Sequence, residues 1–206
     1  REPRGLLHAD LTIGPNFQAI GPLRSNFGIS FMGVILVGSG FQIETDDPIF
    51  DDQSPYIRRT MNGRDLTQSD SGSYILDFYG CTEAEARVRF PSGFQRLFDT
   101  VRPERMAKRG RTADADQYAQ QWWLFAKPRP ERRLALTGLN RYIGTAETAK
   151  HRTFSFIDNT VVPNQKIRVI ASNDGLHLGV LSSAIHLCWA LVQGSRLGAG
   201  NDPVYN

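Results

Sequence analysis

The stretch Asp174 to Leu191 reads DGLHLGVLSSAIHLCWAL, an apolar pattern at helical spacing with a small Ser182-Ser183 pair in its middle. A short strand pattern, Ile167 to Ala171, leads into it. A long final helix is therefore expected from Asp174 or Gly175 to about Val192. The paired serines read as small residues that let the helix pack on a sheet. No apolar run approaches the ~18–20 residues needed to cross a bilayer. Arg1-Glu2-Pro3-Arg4 lacks the shape of a secretory signal. The expectation is a cytoplasmic protein with no membrane partner.

A chain of 206 residues fits one domain, or one domain plus a fragment of another. Both ends read as the limits of a piece taken from a larger protein. Residues 1–55 look like the tail of one unit and its connector, and residues 56–206 like a second unit. Gly14-Pro15, Gly21-Pro22 and Gly38-Ser39-Gly40 punctuate the first. Within it, Ile29 to Val37 reads as a buried strand and Phe41 to Thr45 as its hairpin partner. Asp46-Asp47-Pro48 and Asp51-Asp52-Gln53-Ser54-Pro55 form an acidic connector.

Tyr74 to Phe78 alternates as a strand. Thr82 and Glu85 have capping-box spacing and open a helix that should stop at Phe90-Pro91. Ser92 to Val101 is a second helical pattern with Phe94, Leu97, Phe98 and Val101 on one face, and Pro103 should interrupt it. Arg105 to Arg111 reads as a basic loop or short helix, and Asp114 to Gln121 as a helix. Short strands are expected at Arg141–Ile143, Thr153–Phe156, Thr160–Val162 and Ile167–Ala171. Gly194 to Asn206 reads as an extended tail.

The net charge of +3 hides an asymmetry. Residues 1–101 carry 9 basic and 13 acidic side chains, residues 102–152 carry 12 and 5, and the remainder 3 and 3. Arginine outnumbers lysine 20 to 4. A guanidinium grips phosphates and guanine edges as a planar fork, whereas an ammonium is a point charge. Such a concentration suits a DNA-facing surface, though an arginine-rich genome would produce the same bias.

No catalytic motif is visible. The glycines at 38 and 40 do not follow a strand and open a helix, as a cofactor loop would require. Asn201-Asp202-Pro203-Val204-Tyr205 has one proline where a methyltransferase catalytic loop needs two. His8, His151, His177 and His186 lack metal spacing, Ser182 and Ser183 lack a nucleophile elbow, and Asp51-Asp52 has no lysine beside it. Catalytic and metal-binding residues are therefore none. Cys81 and Cys188 read as reduced, buried thiols. Trp122-Trp123 could stack on splayed bases, but one core indole with the other covering its edge is the simpler reading. Arg129, Arg132, Arg133 and Arg141 suit phosphate clamping, as do Arg109 and Arg111; a solvated face is the alternative.

An ordered series of short matches resembles the MmeI-like restriction–modification methyltransferases. It runs through Leu11-Thr12-Ile13-Gly14-Pro15, Ser30-Phe31-Met32-Gly33-Val34, Asn62-Gly63-Arg64-Asp65-Leu66 and Tyr74-Ile75-Leu76-Asp77-Phe78. It continues with Glu83-Ala84, Pro91, Trp122-Trp123, Arg132-Arg133 and Arg141-Tyr142-Ile143. Ile170-Ala171-Ser172-Asn173-Asp174 and Leu178-Gly179-Val180-Leu181-Ser182-Ser183 close it.

The resemblance implies an α+β fold: a short-stranded mixed sheet with packing helices and a long C-terminal helix. It implies a target-recognition domain that reads double-stranded DNA, with a strip of methyltransferase domain at its N-terminal side. The parent would be an adenine-specific methyltransferase using S-adenosylmethionine, with no cofactor in this part, and its methyltransferase domain would be the partner. By position, the base-reading residues would be Thr145, Lys150 and Arg152 on one loop and Asn173, Gly175 and His177 on another. Lysine and arginine donate to guanine, asparagine pairs with adenine, and glycine leaves room for a base edge. Phosphate contact is the alternative for Lys150 and Arg152. A specificity or protein-interaction subunit that binds DNA only with a separate methyltransferase chain remains the other reading.

Overall fold

Apolar positions alternate along the short strands, and that alternation gives each strand a face to bury against a packed layer. The computed structural model describes residues 5–7, 13–14, 24–51, 53–197 and 202–205. His8, Leu11-Thr12, Pro15, Gly21-Pro22, Asp52 and Asn201 lie outside them. The strands are β1 (Leu6–Leu7), β2 (Ile13–Gly14), β3 (Ser30–Met32), β4 (Gln42–Ile43), β5 (Ile57–Met61) and β6 (Tyr74–Leu76), followed by β7 (Arg141–Ala146), β8 (Ser155–Asp158), β9 (Val162–Pro163), β10 (Ile167–Ile170), β11 (Arg196–Leu197) and β12 (Asp202–Pro203). The helices are α1 (Gly63–Thr67), α2 (Glu83–Arg89), α3 (Pro91–Met106), α4 (Ala113–Gln120), α5 (Pro130–Ala135), α6 (Gly175–Ser182) and α7 (Ala184–Gln193).

One sheet has the order β4-β6-β5-β9, antiparallel except for the parallel β5–β9 pair. The other is antiparallel throughout, in the order β3-β10-β7-β8. β1–β2 and β11–β12 are small separate ribbons. The expected α+β class, with short strands and packing helices, is what forms.

The first sheet packs on α2 and α3 through Ile43, Ile57, Ile75 and Leu76 against Phe94, Leu97 and Val101. Both indoles close this core. Trp122 is buried, and Trp123 covers its edge while donating to the Cys81 carbonyl at 2.9 Å. The second sheet packs apolar side chains on both faces. Tyr142, Ile157, Ile167 and Val169 face one core, while Ile143 and Ile170 face α6 and α7 through Leu178, Leu181 and Leu187.

Capping defines several helices. Asn62 accepts from Arg64 N at 2.7 Å, and Asp65 Oδ2 accepts from Asn62 N at 2.6 Å. The Thr82–Glu85 box opens α2 as expected, and Phe90-Pro91 separates α2 from α3.

Four expectations fail for identifiable reasons. Pro103 does not end α3, which continues to Met106. A proline in a helix costs about 3 kcal/mol. Here the next turn is anchored by Arg105, whose buried guanidinium donates to the carbonyls of Leu36, Val37, Tyr118, Gln121 and Leu124.

Second, Ile29–Val37 and Phe41–Thr45 do not form a hairpin. β3 joins β10 and β4 joins β6, so strands from either side of residue 55 share both sheets. Gly33 marks the crossing: a Cβ there would lie 1.9 Å from the Asn164 carbonyl oxygen.

Third, the long final helix is two helices bent by 62°. Ser183 adopts extended backbone geometry, and its Oγ accepts from His186 N at 3.2 Å. Serine favours such capping, and here it starts a new helix instead of packing the old one on the sheet. Fourth, Cys81 is buried but Cys188 is exposed, because it lies on the outer side of α7.

Candidate nucleic-acid interface

The turn from β10 into α6 is held by its own polar side chains. Ser172 Oγ accepts from Asp174 N at 3.1 Å and shares a 2.7 Å hydrogen bond with His177 Nδ1. Asp174 caps α6, accepting from Leu176 N at 2.8 Å. Asn173, Gly175 and His177 are exposed, and a Cβ on Gly175 would meet open space. Arg141 joins them from β7: Nη2 donates to the Asn173 carbonyl at 3.3 Å, and the guanidinium lies over the Phe156 ring. One end of the second sheet thus presents a guanidinium, an amide, an imidazole and an uncrowded glycine. These are the donor and acceptor types that base edges and phosphates match.

The second expected reading loop lies elsewhere. The β7–β10 register pairs Ile143 with Ile170 and Ala146 with Ile167. The loop after β7 therefore leaves the sheet at the end opposite Asn173. At about 3.3 Å per residue, the two loops are separated by roughly 15 Å along the strands.

Thr145 is buried, and its Oγ1 donates to the Thr153 carbonyl at 2.7 Å. Arg152 turns back into the fold. It donates to Ala146 O, to Thr145 Oγ1 at 3.3 Å and to Pro203 O at 3.0 Å, and desolvation lowers its pKa. Thr145 and Arg152 are therefore engaged in structure, contrary to the expectation that they meet bases. The inward pleat of β7 takes one, and the carbonyls of the loop take the other. Lys150 is exposed beside His151.

The arginines divide in the same way. Arg109 and Arg111 are exposed after α3. Arg129 sits in left-handed backbone geometry before Pro130, donating to Gly33 O and contacting Met32 Sδ. Arg133 pairs with Asp77 at 2.8 Å and donates to Pro128 O at 2.9 Å. Arg132 is buried, with its pKa lowered to about 10 by desolvation and then by Arg133. Arg129 and Arg133 are thus anchored to protein atoms, and Arg132 is withdrawn from the open surface.

Arg105, expected in a basic loop or short helix, is the buried polar hub of the helical half, in the last turn of α3. Phe94, Leu97, Val101 and Arg105 share one helical stripe, a signal that could have placed it inside.

Beyond this edge, Leu176, Val180, Ile185 and Val192 are exposed on α6 and α7 and line a shallow apolar trough of about 1170 Å³. No single helix among the described residues is long and apolar enough to cross a membrane, although the bent α6–α7 pair passes that test as a pair.

Gly38 precedes the 3-10 turn Ser39–Phe41 and Gly40 lies within it, both packed against α3 at Val101 and Thr100. No cluster of three or more His, Cys, Asp or Glu among the described residues could hold a metal ion.

Among solved structures, the type IIL restriction–modification enzyme MmeI in complex with DNA matches with a TM-score of 0.68 at 20% identity. The match covers 86% of this chain and 23% of that one, so the chain spans under a quarter of that relative's length. At this identity the likeness shows the fold. No curated protein matches. A family profile described as MmeI, target recognition domain, matches residues 43–202. That span takes in α1 to α7, the second sheet apart from β3, nearly all of the first sheet and the Arg141–Asn173–His177 edge, and the chain belongs to the MmeI target recognition domain family.

Proposed function

We propose that this chain is the DNA sequence-reading module of a larger restriction–modification enzyme. The observation that carries the reading is the family match, which spans an exposed edge of base- and phosphate-matching side chains. Asn173 and His177 read base edges, Gly175 admits one closely, and Arg141 fixes the backbone register. Arg109 and Arg111 add phosphate contacts, and Lys150 contacts the duplex at the far end of the sheet.

The parent enzyme is an adenine methyltransferase that draws on S-adenosylmethionine. The likeness of the sequence motifs to that class supports this assignment. The cofactor is held by the methyltransferase domain of that parent. A cytoplasmic location follows from that role.

The apolar α6–α7 trough favours a dependent form of the same reading. A recognition domain that makes up only 23% of its solved relative has other domains to pack against. The trough is the face offered to the methyltransferase domain.

Selection from a randomised duplex pool at low salt, followed by salt titration of the winners, tests the reading. An enriched motif of a few base pairs with steep salt dependence supports it. Binding that enriches nothing, or no binding at all, refutes readout by this chain alone. Restored selectivity on adding the methyltransferase domain would establish the dependent form.

A further inference from the structure

A second polar site lies away from that edge. A cavity of about 170 Å³ is bounded by Arg58 of β5, Arg132 and Arg133 of α5, Leu136, Asn159 and Val162. At about 30 Å³ per water, it has the volume of roughly six waters.

Most of its polar lining is already engaged. Arg58 Nη2 donates to Thr160 O at 2.9 Å, and Asn159 Nδ2 donates to Leu136 O and Leu139 O at 3.2 and 2.9 Å. Arg133 holds Asp77, the acidic partner within the cluster. Arg132 differs: the residue is 3% exposed, and its Nε has no hydrogen-bond partner. It forms no ion pair among the described residues.

A buried guanidinium N–H without an acceptor is costly, because water has been removed and nothing replaces it. Proteins tolerate that state where a ligand supplies the missing charge. With its pKa lowered only to about 10, Arg132 is still cationic at neutral pH. Three guanidiniums against one carboxylate leave charge for a group with several oxygens. Arginine forks match phosphate in that role.

We propose that this cavity is a phosphate-binding site in which Arg58, Arg132 and Arg133 hold the oxygens of one phosphate group. The site itself stands on the orphaned Arg132. Only the source of the phosphate, a backbone phosphate of bound duplex, rests on the DNA-reading proposal.

The test is a titration of the full chain with inorganic phosphate at constant ionic strength. It is followed by thermal melting and by the arginine Nε–H resonances. Saturating phosphate should raise the melting temperature by about 5 °C and shift the Arg132 Nε–H signal. Arg58→Gln should weaken phosphate binding about tenfold by removing one charge-assisted donor. Arg132→Met should abolish the phosphate-dependent rise without lowering the melting temperature in chloride. Should Arg132→Met not fold, Arg58→Gln and the wild-type resonance still decide the question.

A duplex titration then identifies the source. A log–log salt slope shallower by about 0.9 in Arg132→Met assigns a DNA phosphate. An unchanged slope, where the wild-type chain binds phosphate and Arg132→Met does not, assigns a free phosphate and still supports the site; phosphate binding retained by Arg132→Met overturns it. No melting shift and no movement of the Arg132 signal overturn the proposal, whatever the duplex shows. Failure of the wild-type chain to bind any duplex would count against the DNA reading and leave the phosphate titration to decide this one.

Discussion

The guanidinium carbon of Arg141 lies 3.6 Å from the centre of the Phe156 ring, and the same side chain donates to the Asn173 carbonyl. A ring face and a carbonyl hold an exposed arginine in place, and it forms no ion pair among the described residues, although Asp158 is its register partner across β7 and β8. A pre-positioned cation loses less side-chain entropy when it meets a phosphate. Arg141→Ala should make the log–log salt slope of DNA binding shallower by about 0.9. The preferred sequence and the melting temperature should not change. Phe156→Leu should weaken binding less, since the charge remains and only its placement is loosened. Fluorescence anisotropy across a salt series checks both.

Asn173 and His177 should behave differently from Arg141. Replacing either with alanine is expected to relax preference at one base pair, worth about 1–3 kcal/mol of discrimination. Selection on a randomised pool reads this directly. Uniform weakening on all sequences would instead place them on the phosphates. Lys150 sits at the other end of the sheet, so a Lys150→Ala/His177→Ala cycle should be additive within about 0.5 kcal/mol.

Arg105 is expected to dominate stability. Arg105→Met removes a donor from five carbonyls, of which only Leu36 and Gln121 keep a backbone N–H partner among the described residues, and should cost about 3 kcal/mol or more. Arg105→Lys should rescue little, because an ammonium cannot span carbonyls on both the Leu36–Val37 segment and the α4 end. The denaturation midpoint measures both.

Acid should weaken the packing of α7. His186 Nε2 lies 3.0 Å from the Tyr205 hydroxyl and its ring meets Phe154, and burial lowers its pKa below the ordinary 6.5. The unfolded chain therefore takes up this proton before the folded one does. The contribution of His186 is complete above pH 6.5 and is lost as pH falls towards the folded value. His186→Gln should flatten that part of the melting temperature against pH, between pH 7 and 5. An unchanged profile would exclude His186 as the cause.

Local signals were legible in the sequence wherever neighbours in the chain decide the outcome. The Thr82–Glu85 box, the Phe94–Leu97–Val101 stripe and the strand at Tyr74 could all be read from spacing. Outcomes set by distant partners could not. The break at Ser183 depends on where Leu178, Leu181 and Leu187 meet the second sheet, and Pro103 survives because Arg105 finds carbonyls up to 69 positions away. The same limit explains the site. Asn173, Gly175 and His177, placed by the resemblance alone, lie exposed where β10 turns into α6. Thr145 and Arg152 belong to a loop whose inward pleat and nearby carbonyls appear only once β7 has paired with β10.

The crossing at Gly33 governs how this unit can be moved between enzymes. The family match begins at residue 43, yet a transplant cut there would leave β3 behind. β10, the strand that leads to Asn173 and His177, would lose its neighbour and become a bare edge ready to pair with another chain. The same cut would discard the Leu36 and Val37 carbonyls that Arg105 grips. The portable unit therefore begins upstream of Ser30, and specificity grafts that respect only the sequence boundary should aggregate before they misread DNA.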